Sequence, residues 1–387
     1  MTDSYAKWAA GLFELAPNNW QRSFSVIRHQ QAPTDRQLEA AVAQTPLARA
    51  AMQRISMKEL LSKWQHNPPT TVVVGGPGPF ILALRQRLDK TSWGQKIALV
   101  GGSPGIATHL DETSLRFRLA LDILIVASEN ERLTLSTEMS KLFGHHPAVA
   151  LSTLPFIQHI SQRKQDDSQQ DMVFAAQPDI PASKHERLEV LKSLLQFKRH
   201  HQLDAVYIKL RALAGEAQTH TEYFSYQDLF NELIAGGEAA RDEIRFLFGS
   251  MQDALQNPNT ILATISSTAA IESIALGNPT LIIADMGVSR ARANEVFINS
   301  GLVHRLDEVT LPYRGIPTKE WKQLNYFHNS VENDWISQID SHGIRTAPRL
   351  SEHFSAQALR KNAISEALRL SQQSAPLFAL YRALVKR

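Results

Sequence analysis

Three hydroxyl residues in a row, Ser266, Ser267 and Thr268, stand between an apolar run and a helix-forming stretch that stops at Gly277. A buried strand that ends in hydroxyls and turns straight into a helix exposes free N–H groups at the helix start. The partial positive charge there makes phosphate the favoured guest. Ala269 and Ala270 keep the approach open, and Glu272, one turn in, is placed to accept from a ribose hydroxyl. Plain N-capping of a structural helix explains the same residues, with Gly277 as its left-handed exit.

A second stretch runs from Val206 to His220. Lys209 and Arg211 occupy alternate positions, so at a strand end they point to one face. With Gly215, Glu216 and His220 behind them they make an anion cradle with a titratable group; solvated charges at an exposed strand end are the simpler alternative. Two glycine-rich loops follow strands in the first half, Gly75-Gly76-Pro77-Gly78 and Gly101-Gly102-Ser103-Pro104-Gly105. Neither carries the Lys-Ser/Thr ending of a phosphate loop or the spacing of a dinucleotide fingerprint. They let a ligand approach the backbone closely, as ordinary tight turns also would. The pairs His145-His146 and His200-His201 lack the i, i+4 spacing of helical metal ligands, and no Gly-x-Ser-x-Gly elbow supports serine hydrolase chemistry. Arg290 or Arg292, in the loop after the strand ending at Asp285, is directed at a cleft.

Short apolar runs alternating with amphipathic stretches must position these loops. Strands are predicted at Ser23–Arg28, Thr71–Val74, Lys96–Val100, Asp122–Ala127 and Ala148–Ser152, with helices over Pro79–Leu88, Glu112–Leu121 and Glu129–Leu142 between them. Such alternation implies βαβ units and parallel sheets. Residues 161–171 contain no apolar side chain and read as a linker that joins no core. The alternation then restarts: strands Met172–Ala176, Ala205–Leu210, Thr260–Ile265 and Thr280–Asp285, helices Lys184–His200 and Tyr226–Ala235. The expected organisation is a first α/β domain over 1–165, a second over 172–345 and a helical tail over 346–387 that packs back on the first. Ligands of open parallel sheets sit beyond the carboxyl ends of the strands, here in a cleft between the two halves.

Composition narrows the function classes. The 387 residues contain no cysteine, which removes disulfides, thiol catalysis and thiolate-held metals. With 41 Lys and Arg against 38 Asp and Glu, the net charge of +3 is compatible with an anionic ligand but is no nucleic-acid footprint. No apolar run approaches the ~20 residues that span a bilayer, and the first 17 residues carry charges within an amphipathic pattern, unlike a signal peptide. The expectation is a cytoplasmic α/β protein.

Four stretches resemble a bacterial family of glycosyltransferases associated with sialic-acid-type sugars, of the GT-B class with two Rossmann-like domains facing a cleft. They are Asp3-Ser-Tyr-Ala-Lys-Trp8, Phe174-Ala-Ala-Gln-Pro178, Ile208 to His220 and Ile265 to Glu272, and the similarity continues through Asp285-Met-Gly-Val-Ser289 to Gly301. The resemblance implies a nucleotide-sugar donor, with Ser266, Ser267 and Thr268 on its phosphate and Gln177, Lys209, Arg211, Glu216 and Glu272 around them. It also implies an acceptor facing Gly101, Gly102 and Ser103. The His-Pro pair of bacterial GT-B sialyltransferases is missing, which leaves the role of His220 open. Their acidic pair before a glycine is missing too, so Asp3 and Glu129 stand in as base candidates. Such a first domain normally opens on a strand, whereas this sequence starts with an amphipathic stretch. The reaction so implied moves a nonulosonic acid (sialic, pseudaminic or legionaminic type) from a cytidine-monophosphate donor to a hydroxyl of a bacterial surface glycan. No metal and no further cofactor are expected, and a peripheral contact with the inner membrane is compatible with a lipid-linked acceptor. Another nucleotide-sugar donor, a nucleotide-sugar 2-epimerase and a non-catalytic GT-B-like binding protein are the alternatives.

Overall fold

The structure is a computed structural model that describes residues 3–342, except 29–31, 33, 44, 46, 48–51, 108, 109, 159, 167, 168, 179, 211–221 and 223. The expected helical tail over 346–387 lies outside the described residues. The first half contains, in order, α1 (Asp3–Leu15), β1 (Ser25–Ile27), α2 (Asp35–Val42), β2 (Gln53–Ile55), α3 (Met57–His66), β3 (Thr71–Val74), α4 (Gly78–Leu88), β4 (Ala98–Gly102), α5 (Glu112–Arg118), β5 (Ile123–Val126), α6 (Glu129–Phe143) and β6 (Ala148–Leu151). Strands β3, β4, β5 and β6 form a parallel sheet in that order, and β1 pairs with β2 beside it. The second half follows with β7 (Met172–Ala175), α7 (Lys184–His201), β8 (Val206–Lys209), α8 (Tyr226–Ala235), β9 (Ile244–Leu247), α9 (Met251–Ala254), β10 (Ile261–Thr264), α10 (Ala269–Leu276), β11 (Thr280–Ile283), β12 (Val303–His304), α11 (Lys319–Leu324) and α12 (Trp335–Ser341). Its six strands are parallel in the order β12-β11-β10-β7-β8-β9.

Central strands are apolar throughout because helices cover both faces. Ile123 to Val126 and Ile261 to Thr264 are buried at every position, as expected of parallel sheets with no solvent face. The order β10-β7-β8 sets the carboxyl ends of β7, β8 and β10 side by side at one end of the second sheet. This adjacency gathers residues far apart in the sequence.

Three readings of the sequence change. Strand β4 runs two residues further than predicted, with Gly101 facing Val74 and Leu124, and Gly102 facing Ile125. Gly101 and Gly102 are therefore buried strand residues: an added Cβ would meet Leu121 at the first and Trp8 at the second. Their small size lets α1 and the Leu121 side chain lie close to the sheet. Residues 161–171 are no free linker. The Arg163 amide donates to the Leu276 carbonyl at 2.8 Å, and the Gln165 amide group donates to the Gly277 carbonyl at 3.0 Å. Buried Gln170 exchanges two hydrogen bonds with the Tyr313 backbone. A polar segment joins a core when each buried group finds a partner. Finally α12, grouped with the second half from the sequence, packs on the first sheet, where Trp335 and Ile339 bury against Trp8, Leu12, Val100, Ile123 and Ile125.

Candidate active site at the cleft

The β10–α10 turn holds three of the sequence-picked residues, Ser266, Ser267 and Thr268, and brings the first of them to a fourth, Gln177. The Gln177 side-chain oxygen accepts from both the amide and the hydroxyl of Ser266, each at 3.2 Å. Pairing of β7 with β10 makes this contact local in space across 89 positions of sequence. Thr264, at the strand end, donates to the Ala175 carbonyl and accepts from the Ser267 amide. Ser267, rather than Thr268, closes the helix start: its hydroxyl accepts from the Ala269 amide at 3.2 Å. Thr268 is the N-cap by position, yet its backbone is already helical and its side chain makes no capping bond. A capping residue normally keeps an extended backbone so that its oxygen can turn back; at Thr268 the hydroxyl is left for another partner. Gly277 ends α10 in the left-handed conformation, as expected.

The first half supplies the facing wall. Ser103 follows β4, and Gly105 lies so close to Thr268 that an added Cβ would overlap the threonine methyl. Ile106 buries with Ala269, Ala270 and Ile271 of α10. Lys7 of α1 puts its ammonium 3.9 Å from the Glu272 carboxylate and 5.0 Å from the centre of the Phe156 ring. Glu272, proposed from the sequence to accept from a ribose, thus faces a cation of the other half. Asp3 is the first residue of α1.

Lys209 is at the end of β8 and buried, with its ammonium donating to the Leu210 carbonyl at 2.7 Å. Arg211, Glu216 and His220 lie outside the described residues. Arg187, buried in α7, donates to the carbonyls of Gln177, Pro178, Pro181 and Phe224 and to the Glu222 carboxylate, so one guanidinium ties the loop after β7 to both sides. Arg290 crosses the cleft, with two bonds to Glu138 of α6 at 2.6 and 2.7 Å and a third to the Leu110 carbonyl. Arg292 turns instead to Glu186 at 2.8 Å.

Glu129 opens α6, where Arg132 holds its carboxylate at 2.5 Å and also reaches Asp334 at 2.9 Å. Its neighbour Glu131, not picked from the sequence, is fully enclosed. The Glu131 carboxylate accepts from the amides of Ala107 at 2.7 Å and Ala127 at 2.9 Å and from the Tyr326 hydroxyl at 2.8 Å. Burial pushes its pKa up from the ordinary 4.5 against the pull of those three donors. Ser128 caps α6 by accepting from the Glu131 amide. The spacing Ser-x-x-Glu after an apolar run is a helix-start signature and was the available signal for Glu131. Tyr326 is buried in the left-handed region with φ of 61°, a conformation that costs a non-glycine residue roughly 1–2 kcal/mol. Around it Asn325 accepts from Asn130, Asp334 accepts from the Leu151 amide at 2.6 Å, and Asn333 accepts from the Thr153 amide. Residues 325–334 thus strap the returning chain onto the start of α6.

The sequence profile of the family described as "Putative glycosyltransferase (DUF6716)" matches residues 1–342. The chain belongs to that family. Among solved structures, a crystal structure titled as that of a putative UDP-N-acetylglucosamine 2-epimerase from Listeria monocytogenes matches with 11% identity. The match covers 96% of this chain and 94% of that one with a TM-score of 0.53. The UDP-GlcNAc 2-epimerase of Methanocaldococcus jannaschii, in complex with UDP-GlcNAc and UDP, matches with 12% identity over 88% of this chain and 97% of that one, also with a TM-score of 0.53. At such identity the likeness is one of fold: this glycosyltransferase-family chain has the α/β, GT-B-like arrangement of two parallel sheets facing a cleft. No curated protein sequence matches. Among the described residues no group of three His, Asp or Glu is arranged to hold a metal, and no helix is long and apolar enough to cross a membrane.

Proposed function

We propose that this protein transfers a sugar from a nucleotide-activated donor, whose phosphate sits on the turn Ser266-Ser267-Thr268. One observation carries the reading: the start of α10 faces the first half with the Thr268 hydroxyl making no capping bond to the helix, while Glu272, the acid of its first turn, is directed to Lys7. Charge growing on the departing phosphate would meet the hydroxyls and the helix dipole, with Lys209 and Arg211 adding positive charge from the end of β8. A base must take the proton of the acceptor hydroxyl as the sugar–phosphate bond breaks. Of the base candidates Asp3, Glu129 and His220, Glu129 is the weaker, because Arg132 occupies its carboxylate. Ser103 and the rest of the loop after β4 are the acceptor side of the site.

The donor we infer is a cytidine-monophosphate-activated nonulosonic acid, and the acceptor a hydroxyl of a surface glycan. The support is the resemblance of the stretches 208–220 and 265–272. A uridine diphosphate sugar, transferred or epimerised at C2, is the second reading, favoured by the likeness in fold to an epimerase that binds UDP-GlcNAc. A thermal-shift panel of cytidine, uridine, guanosine and thymidine mono- and diphosphates, with and without magnesium, tests both. Ligand at 100-fold its Kd adds about 2.7 kcal/mol to the stability of the native state and raises the midpoint by several degrees. A response to cytidine monophosphate that needs no magnesium supports the first reading. A response to uridine diphosphate moves the assignment to the second, and no response to any nucleotide refutes both.

A further inference from the structure

We propose that Glu131, held by Tyr326, is a positioning residue that presses the loop after β4 onto the donor-phosphate turn, so that the two halves of the site close as one unit. The inference deepens the reading of Ser266-Ser267-Thr268 as that turn and rests on it. Glu131 touches no open space and so takes no part in chemistry directly. It acts through Ala107, whose amide it accepts at 2.7 Å. Two residues earlier, Gly105 abuts the Thr268 methyl, and between them Ile106 belongs to the buried cluster that takes in the first residues of α10. On its other side the same carboxylate takes the hydroxyl of Tyr326, which comes from the segment returning from the second half. A continuous line of contacts therefore runs from the strap through Glu131 to the turn on the opposite wall.

The backbone at Tyr326 is a separate observation that points the same way. Asn325, the residue type that tolerates a left-handed backbone best after glycine, is extended at φ −131°, while the bulky Tyr326 beside it takes φ 61°. Local strain in a tightly enclosed residue persists where the surroundings over-determine it. Here the surroundings include the bond from its hydroxyl to Glu131 and the enclosure of its ring.

The test is amide hydrogen exchange on the nucleotide-free full chain, comparing wild type with Tyr326→Phe, which removes one hydroxyl and keeps the ring. The expected result is exchange at least fivefold faster at residues 266–270, of which Ala269 and Ala270 share a buried cluster with Tyr326 but none accepts a hydrogen bond from its hydroxyl, together with faster exchange at Ala107 and Ala127. Faster exchange confined to Ala107 and Ala127 makes the bond a local structural one and overturns the proposal. Glu131→Gln is the second variant, since its amide oxygen can keep the Ala107 and Tyr326 bonds while its NH2 group opposes the Ala127 amide. Loosening of 266–270 smaller than in Tyr326→Phe is expected there, and equal loosening would mean that Tyr326 acts by another route. With the nucleotide donor identified by the panel above, kcat falls about tenfold in Tyr326→Phe with the donor KM within threefold of wild type. A rise in KM alone contradicts a positioning role. The exchange experiment contains no nucleotide, so it stands or fails independently of whether any nucleotide binds.

Discussion

Two helices of this protein start in the same topological place and are finished in opposite ways. Helices α6 and α10 each follow a strand whose residues are all buried, and each begins within a few residues of the strand end. At α6 the chain supplies its own anion: Ser128 caps the first turn, and the Glu131 carboxylate gathers amides from two loops. At α10 the first three residues are Ala269, Ala270 and Ile271; Ser267 accepts from the Ala269 amide, Thr268 makes no capping bond, and no carboxylate gathers the amides. Similar helix starts thus serve as a structural lock in one half and, on the function proposed above, as an anion seat in the other. What separates a site from a scaffold here is whether the sequence has already filled the positive end with a carboxylate.

The largest expected effect comes from emptying the filled end. Glu131→Ala leaves two amides and a hydroxyl buried without an acceptor and should cost about 2–4 kcal/mol, read as a lower melting temperature. The milder Glu131→Gln also exposes the charge. Because burial raises the Glu131 pKa above 4.5, the folded chain holds that proton more tightly than the unfolded chain does. The associated stability is present below pH 4.5 and is lost as pH rises through the raised value. The unfolding free energy of wild type minus that of Glu131→Gln should therefore decline with rising pH over that interval and level off above it. A difference flat across the whole range would contradict an enclosed ionising carboxyl.

Stripping the open end should cost stability only through the lost Ser267 bond to the Ala269 amide, and should hurt binding more. Ser267→Ala with Thr268→Ala is expected to weaken nucleotide affinity tenfold or more, about 1.4 kcal/mol, with the melting temperature of the free protein shifted by only about 2 °C. Unchanged affinity by calorimetry would remove α10 from the site and with it the contrast. A smaller effect tests the contact between the halves: Gly105→Ala should lower turnover roughly threefold to tenfold through its clash with the Thr268 methyl. Adding Thr268→Ser, which deletes that methyl and keeps the hydroxyl, should restore most of it; failure of the rescue would place the Gly105 effect elsewhere. The smallest effect is expected from Lys7→Ala. A half-exposed lysine 3.9 Å from Glu272 is worth less than about 0.5 kcal/mol, and that difference should vanish in high salt.

The start of α10 was legible because strand end, hydroxyls, helix and terminal Gly277 are consecutive in the chain. So were the strands, whose apolar runs are local signals; the exceptions were short or polar ones such as β2, β9 and β12. Gly101 and Gly102 were misread because glycine signals a turn as readily as a close packing contact, and only the position of Trp8 decides between them. The Glu131 network was illegible for another reason. Its Ser-x-x-Glu signature was in view, but the partner Tyr326 lies 195 positions away, and no spacing rule reaches that far. Residues 161–171 show that a lack of apolar side chains does not mean a lack of attachment. The base candidate His220 and the cations and acids at 211 and 216 fall outside the described residues.

Helix α12 has a consequence for the order of events during synthesis. One face of the first sheet is finished by Trp335 and Ile339, more than 180 residues after β6 closes its strand order. A nascent chain normally folds its N-terminal unit first, while the rest is still being made. Here that unit must wait, half-covered, until the second half has left the ribosome and the strap has come back. The first sheet is thus the earliest to be made and the last to be completed.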